Sequence, residues 1–208
     1  MLESVFVKSS EIVSREHFHH DMAVLVLPTI DHDAAVRVDD ILRRRAWADG
    51  LLVVVDDDLR LGFIKVANLV FARSHSKYFG YLAEDAFPGD GWLKCALFTL
   101  ENSDASLLAF NDGRFHGNLA VFGLVSRAWA RQLYHNCLFY PGYTRHFGDT
   151  ELSVLSRMLG KMTYNPNCLM AEVDYSKHVK LVDEQDEALY RQRARTGFGG
   201  LVEPFEPD

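Results

Sequence analysis

Apolar and polar positions alternate along this chain with two periods. Met22 to Leu27 is an unbroken apolar run closed by Pro28 and Thr29, the pattern of a strand buried on both faces. From Asp33 to Trp47 the apolar residues Ala34, Val38, Ile41 and Leu42 recur between charges, as on an amphipathic helix, and Asp49-Gly50 ends it. Leu51 to Asp58 (LLVVVDDD) repeats the first theme and runs into three acids. Gly62 to His75 predicts a second helix, with Phe63, Val66, Val70 and Phe71 on related faces. In Lys77 to Gly91 (KYFGYLAEDAFPGDG) a short apolar run ends on Glu84 and Asp85, and a Pro-Gly turn follows. A strand that delivers carboxylates into a loop is one way to hold a hard divalent cation on a rigid element.

The second half continues in the same manner. Trp92 to Leu100 predicts a helix, Ser106 to Phe110 a strand, and Arg127 to Tyr134 a helix after the apolar run Leu119 to Val125. An aromatic and glycine-rich loop, LFYPGYTRHFGD, leads into TELSVLSRMLG, where Leu152, Leu155 and Leu159 share a helical face and Gly160 marks the stop. Met162 to Val173 is extended around Pro166. Residues 183–196 run from acidic to basic, which suits a helix dipole, and the tail GFGGLVEPFEPD is expected to be mobile. No repeat or strong linker divides the chain. The pattern predicts one α/β domain over 22–182, a mostly parallel sheet flanked by helices. A polar lead-in over 1–21 precedes it, and a C-terminal helix and tail over 183–208 follow.

Composition narrows the function. The 208 residues are 48% apolar, enough for a substantial core, and the formal charge of −7 argues against a broad nucleic-acid-binding face. Cys95, Cys137 and Cys168 are odd in number, far apart and outside CxxC spacing. That argues against a disulfide framework or zinc knuckle and for a reducing compartment. No run reaches the roughly 18 apolar residues of a membrane span, and no signal-peptide pattern opens the sequence, so a cytoplasmic protein is expected. The HFHH cluster at His17 to His20 has no structural-zinc spacing.

Neither GxGxxG nor GxxxxGK[ST] occurs, so a nucleotide would be held by other means, such as a metal bridging its diphosphate to acids at strand ends. An ordered set of motifs resembles the GT-A glycosyltransferases, most closely the inverting group called family two. The first strand ends in Thr29 and the second in Asp56 to Asp58. Asn68 stands at the interval before Asp85 that separates that family's "RN" asparagine from the last acid of its DxD motif. GDTELS from Gly148 is similar to the start of the family's "ED-x-[DE]-L" helix, and Pro166 falls after it. The pattern departs from the family at Ala83, where DxD has its first acid, at Ala67 before Asn68, and at Gly148 in place of the Glu of "ED".

The resemblance implies a GT-A-like, Rossmann-related fold and an enzyme that transfers a sugar from a nucleoside diphosphate donor, UDP by family frequency, to a hydroxyl acceptor. It implies nucleotide contacts at Thr29, Asp31, Asp57, Asp58, Lys65, Asn68 and Glu84. Asp85 and Glu172 would ligate Mn²⁺ or Mg²⁺, with Asp174 and His178 competing with Glu172 for that role. Asp149 would be the general base. Each assignment has a plainer competitor: Asp149 precedes a helix and could be its N-cap, the acids at 56–58 could be solvated, and Lys65 could be a surface charge. Phe139, Tyr140, Tyr143 and Phe147 could line an acceptor site or the core, and Arg191, Arg193 and Arg195 could form a basic lid or a solvated helix end. The acceptor, whether glycan, lipid-linked saccharide, protein or modified nucleobase, is left open. A nucleotidyltransferase and a non-catalytic binding protein of the same fold are the rival functions.

Overall fold

The computed structural model describes residues 1–14, 17–173 and 182–207. Ten strands are present among them: β1 (Leu2–Lys8), β2 (Phe18–His19), β3 (Ala23–Thr29), β4 (Gly50–Asp56), β5 (Ser74–His75), β6 (Tyr78–Tyr81), β7 (Ala86–Pro88), β8 (Leu107–Asn111), β9 (Gly123–Ser126) and β10 (Met162–Glu172). The helices are α1 (His32–Arg45), α2 (Phe63–Ala72), α3 (Trp92–Glu101), α4 (Arg127–Tyr134), α5 (Gly148–Met158) and α6 (Glu184–Ala194). Eight strands form one sheet in the order β1-β4-β3-β6-β9-β8-β10-β7. β1, β4, β3 and β6 are mutually parallel, β9 runs antiparallel between β6 and β8, and β10 is parallel to β8 and antiparallel to β7.

The continuous apolar runs serve two cores at once, because successive strand residues point to opposite faces. Val24, Val26, Val53 and Val55 pack with α2, α4, α5 and α6, whereas Leu25, Leu27, Leu52 and Val54 pack with α1 and α3. Close strand contacts need a missing side chain at Gly80, where a Cβ would lie 2.6 Å from Leu25 Cδ2.

Three expectations are corrected here. The supposed lead-in over 1–21 carries β1, which pairs in parallel along β4 from Leu2–Gly50 to Lys8–Asp56. An edge strand is only half covered, so Glu3, Ser4 and Lys8 sit among its apolar residues and hide the strand pattern. The tail is packed: Phe198 is 2% exposed, Phe205 lies against the core with its N–H donating to Ala194 O at 3.1 Å, and Arg195 pairs with Glu206. Cys95 and Cys168 form a disulfide across 73 positions, because α3 packs on β10 and brings their Cα atoms to 5.4 Å. Cys137 remains a thiol.

Candidate active site

Two cavities open at the carboxyl ends of the parallel strands, where a ligand crevice is expected in an open α/β sheet. The first, of about 240 Å³, is lined by Asp85, Asp149 and Glu172 together with Ala83, Arg145, His146, Gly148 and apolar groups from α2 and residues 121–122. Asp85 follows β6, Glu172 ends β10 and Asp149 opens α5. The two proposed metal ligands are neighbours through the β7–β10 pairing, in which Glu172 lies opposite Ala86 and the Val173 N–H donates to Asp85 O at 2.8 Å. Thus residues separated by long stretches of sequence share one cleft. Glu172 also accepts from Arg114 Nη1 at 2.6 Å. Asp174 and His178, its sequence-level competitors, lie outside the described residues.

Asp149 is not an N-cap. The cap is Phe147, in a left-handed conformation with φ +68°, and Asp149 stands in the first turn with its Oδ1 accepting from Thr150 N at 2.8 Å. Burial pushes its carboxyl above the usual aspartate value, and the Thr150 N–H and the nearby His146 offset this only in part. The helix start alone predicts the opposite sign. Desolvation of a carboxylate at the cleft wall outweighs the dipole. The adjacent phenol of Tyr81 is fully buried, is pushed well above its ordinary value, and donates to Ala120 O at 2.8 Å.

The second cavity, of about 230 Å³, is lined by Phe6, Val7, Lys8, Glu11, Thr29, His32 and Asp56. Register explains its polar row: Lys8 is paired with Asp56 across β1–β4, and Asp56 with Thr29 across β3–β4. Thr29 joins this cavity to the first, since its hydroxyl lies 2.6 Å from Glu84 Oε2, one residue before Asp85. Of the implied nucleotide contacts, Thr29 lines the second cavity, and Glu84, which lines neither, is bonded to it.

The other implied nucleotide contacts are placed differently. Asp57 is buried and accepts from Leu61 N (3.0 Å) and Gly62 N (2.7 Å), so it shapes the turn into α2. Asp58 faces the turn after β1, where bonds from the Ser10 hydroxyl and N–H hold its carboxyl down at about 2. Asp31 caps α1 through Ala34 N, and Lys65 is exposed on α2. Asn68 is a buried clamp: Oδ1 accepts from Leu138 N and Phe139 N, each at 2.9 Å, and Nδ2 donates to Phe139 O at 3.0 Å. None of these five lines either cavity. The acids that do face the second cavity are Asp56 and Glu11, with Lys8 and His32. Sequence reasoning named Asp56 only within the 56–58 cluster and passed over Lys8 because β1 was not recognised, although its apolar positions Leu2, Val5 and Val7 were the available signal.

The arginines of α6 and its C-cap do not form a lid, since Arg191 pairs with Glu187, Arg193 with the fully buried Glu151, and the capping Arg195 with Glu206. Glu151 also accepts the phenolic protons of Tyr143, at 2.5 Å, and of Tyr134. Phe139 and Tyr143 are buried in the core rather than lining an acceptor site.

Among the described residues no group of three or more His, Cys, Asp or Glu is arranged to hold a metal ion. Two carboxylates, Asp85 and Glu172, face the same cleft. That donor set fits Mn²⁺ or Mg²⁺ used in the manner of phosphate-transferring sites, where one or two carboxylates anchor the ion and substrate phosphates complete its shell. No helix among the described residues is long and apolar enough to cross a membrane.

The sheet order and the position of the cavities are those of a GT-A-like α/β fold. The sequence matches no family model and no curated protein, but solved structures match its fold. Staphylococcus aureus TarS 1-349, in complex with UDP-GlcNAc, superposes with a TM-score of 0.64 at 10% identity over 84% of this chain and 66% of that one. The mannosyltransferase PcManGT from Pyrobaculum calidifontis, in complex with GDP-Man and Mn²⁺, gives 0.62 at 11% identity over 95% and 71%. A longer TarS structure gives 0.56 at 10% identity, and this chain spans 43% of it. Identities this low establish the shared fold and leave the chemistry to be argued from the site.

Proposed function

We propose that this protein is a metal-dependent glycosyltransferase that moves a sugar from a nucleoside diphosphate sugar to a hydroxyl acceptor with inversion. The observation that supports this reading best is the meeting of Asp85, Glu172 and Asp149 in one cleft next to a second cavity lined by Thr29 and Asp56. The nucleoside occupies the second cavity, where Asp56 accepts from base or ribose donors and Lys8 and His32 flank it. Asp85 and Glu172 hold the cation, which when bound supplies positive charge to the departing diphosphate. Asp149 takes the proton of the acceptor hydroxyl while that oxygen forms its bond to the anomeric carbon. The bond to the diphosphate oxygen breaks with its electron pair leaving on the nucleotide, so one displacement inverts the centre. A raised carboxyl pKa suits this role, because a more basic carboxylate takes a proton more readily. UDP is the donor nucleotide proposed from the family resemblance; a GDP-sugar is bound by one protein of the same fold.

Thermal stability with UDP and with GDP, each with and without Mn²⁺, tests the reading. One nucleotide should raise the Tm, and by clearly more with metal than without. Equal shifts with and without metal refute the cation site. Ala83 at the first DxD position and the Arg114–Glu172 pair favour one rival, a binding protein without turnover. That rival predicts the metal-dependent shift but neither transfer nor donor hydrolysis.

A further inference from the structure

The cleft is acidic, with Asp85, Asp149 and Glu172 on its wall, and the basic residues among its lining are Arg145 and His146. A diphosphate entering such a space is repelled by each ionised carboxylate, and one divalent cation offsets only part of that charge. Arg145 and His146 belong to a loop without regular structure, so something must hold them at the cleft. That support comes from α6. The carboxylate of Asp186, itself 2% exposed, accepts three successive backbone N–H groups: Thr144 at 3.0 Å, Arg145 at 2.7 Å and His146 at 2.9 Å. Burial works to raise this carboxyl, and the three donors outweigh it, leaving it below the ordinary aspartate value. Three residues earlier, the Asp183 N–H donates to His146 Nδ1 at 3.2 Å. With Nδ1 accepting, the neutral ring carries its proton on Nε2, a donor. One turn later Tyr190 stacks on Phe147, with centroids 5.0 Å apart and an interplanar angle of 24°. Phe147 has φ +68°, a conformation a bulky residue keeps only when its surroundings impose it.

Resting on the proposed function, we infer that Arg145 and His146 contact the donor diphosphate, and that Asp186 is the positioning residue that presents them. The guanidinium matches phosphate oxygens in a planar fork, and the imidazole adds a single N–H donor. Asp186 touches no substrate and acts only through the 144–146 backbone.

The test compares dissociation constants of UDP and GDP with those of uridine and guanosine, all with Mn²⁺. The proteins are wild type, Arg145→Ala, Arg145→Ala/His146→Ala, Asp186→Asn, and Asp186→Asn in the double-Ala background. Arg145→Ala should weaken the preferred diphosphate about tenfold or more, the loss expected of a charge-assisted bond, while nucleoside affinity stays within about twofold. Asp186→Asn should weaken the diphosphate several-fold alone and by less than about twofold in the double-Ala background, because it acts through groups already removed. Unchanged diphosphate affinity in Arg145→Ala overturns the contact, and equal Asp186→Asn effects in both backgrounds overturn the positioning role. Arg145 is exposed, so its variant folds and decides the contact even if Asp186→Asn does not. A wild-type protein that binds neither nucleotide refutes the proposed function itself, a result distinct from binding that ignores Arg145.

Discussion

Replacing Asp149 by Asn isolates its charge with little change of shape. The amide oxygen can still accept from Thr150 N, now at 2.8 Å from Oδ1, so the first turn of α5 keeps its local bond. What is lost is the proton acceptor. General-base catalysis contributes on the order of 10² to 10⁴ in rate, so transfer or donor hydrolysis should fall by about that factor while nucleotide affinity with Mn²⁺ stays within about threefold. The same variant has a predictable effect on stability. The folded state raises this carboxyl, so it binds the proton more tightly than the unfolded chain does. Stability from that proton is present at low pH and is lost as pH rises from the ordinary value of about 3.9 through the raised folded value. Asn has no such loss. The Tm of Asp149→Asn relative to wild type should therefore climb as pH is raised above about 4 and level off once the raised folded value is passed. The acid limb of the wild-type rate profile should fall above the ordinary aspartate value, since protonated Asp149 cannot accept the acceptor proton. Undiminished turnover removes Asp149 from the base role, and a Tm difference that does not change with pH refutes the raised carboxyl.

Asn68→Ala should cost about 1–3 kcal/mol for each buried group it orphans at Leu138 and Phe139, seen in urea unfolding, and leave UDP and GDP affinity unchanged; a lost affinity would restore Asn68 as a nucleotide contact. Asp56→Asn should weaken nucleoside binding, whereas Asp58→Asn, whose bonds go to Ser9 and Ser10, should not; equal losses in calorimetry would undo the assignment of the second cavity. Thiol titration of the unfolded, unreduced protein should count Cys137 alone, and counting all three cysteines would contradict the Cys95–Cys168 bond.

The alternation of apolar runs with amphipathic stretches was legible in the sequence, and so were Asp85 and Asp149 at the ends of a strand and the start of a helix. Central strands buried on both faces must be apolar throughout, and a helix packed on one face must repeat near every third or fourth residue, so both leave periods that one chain displays. The edge strand β1 leaves a mixed pattern because half of it meets solvent. Which of three consecutive acids faces a ligand could not be read either. Asp56 is turned to the second cavity by its register with Lys8 and Thr29, Asp57 is taken by the N–H groups of Leu61 and Gly62, and Asp58 is drawn to the serines after β1. In the same way Asn68 serves backbone groups some 70 positions away, and Asp186 holds a loop about 40 positions earlier. A side chain's polar atoms go to whichever unsatisfied partner folding brings near, and that partner is chosen by tertiary contacts the linear order does not contain.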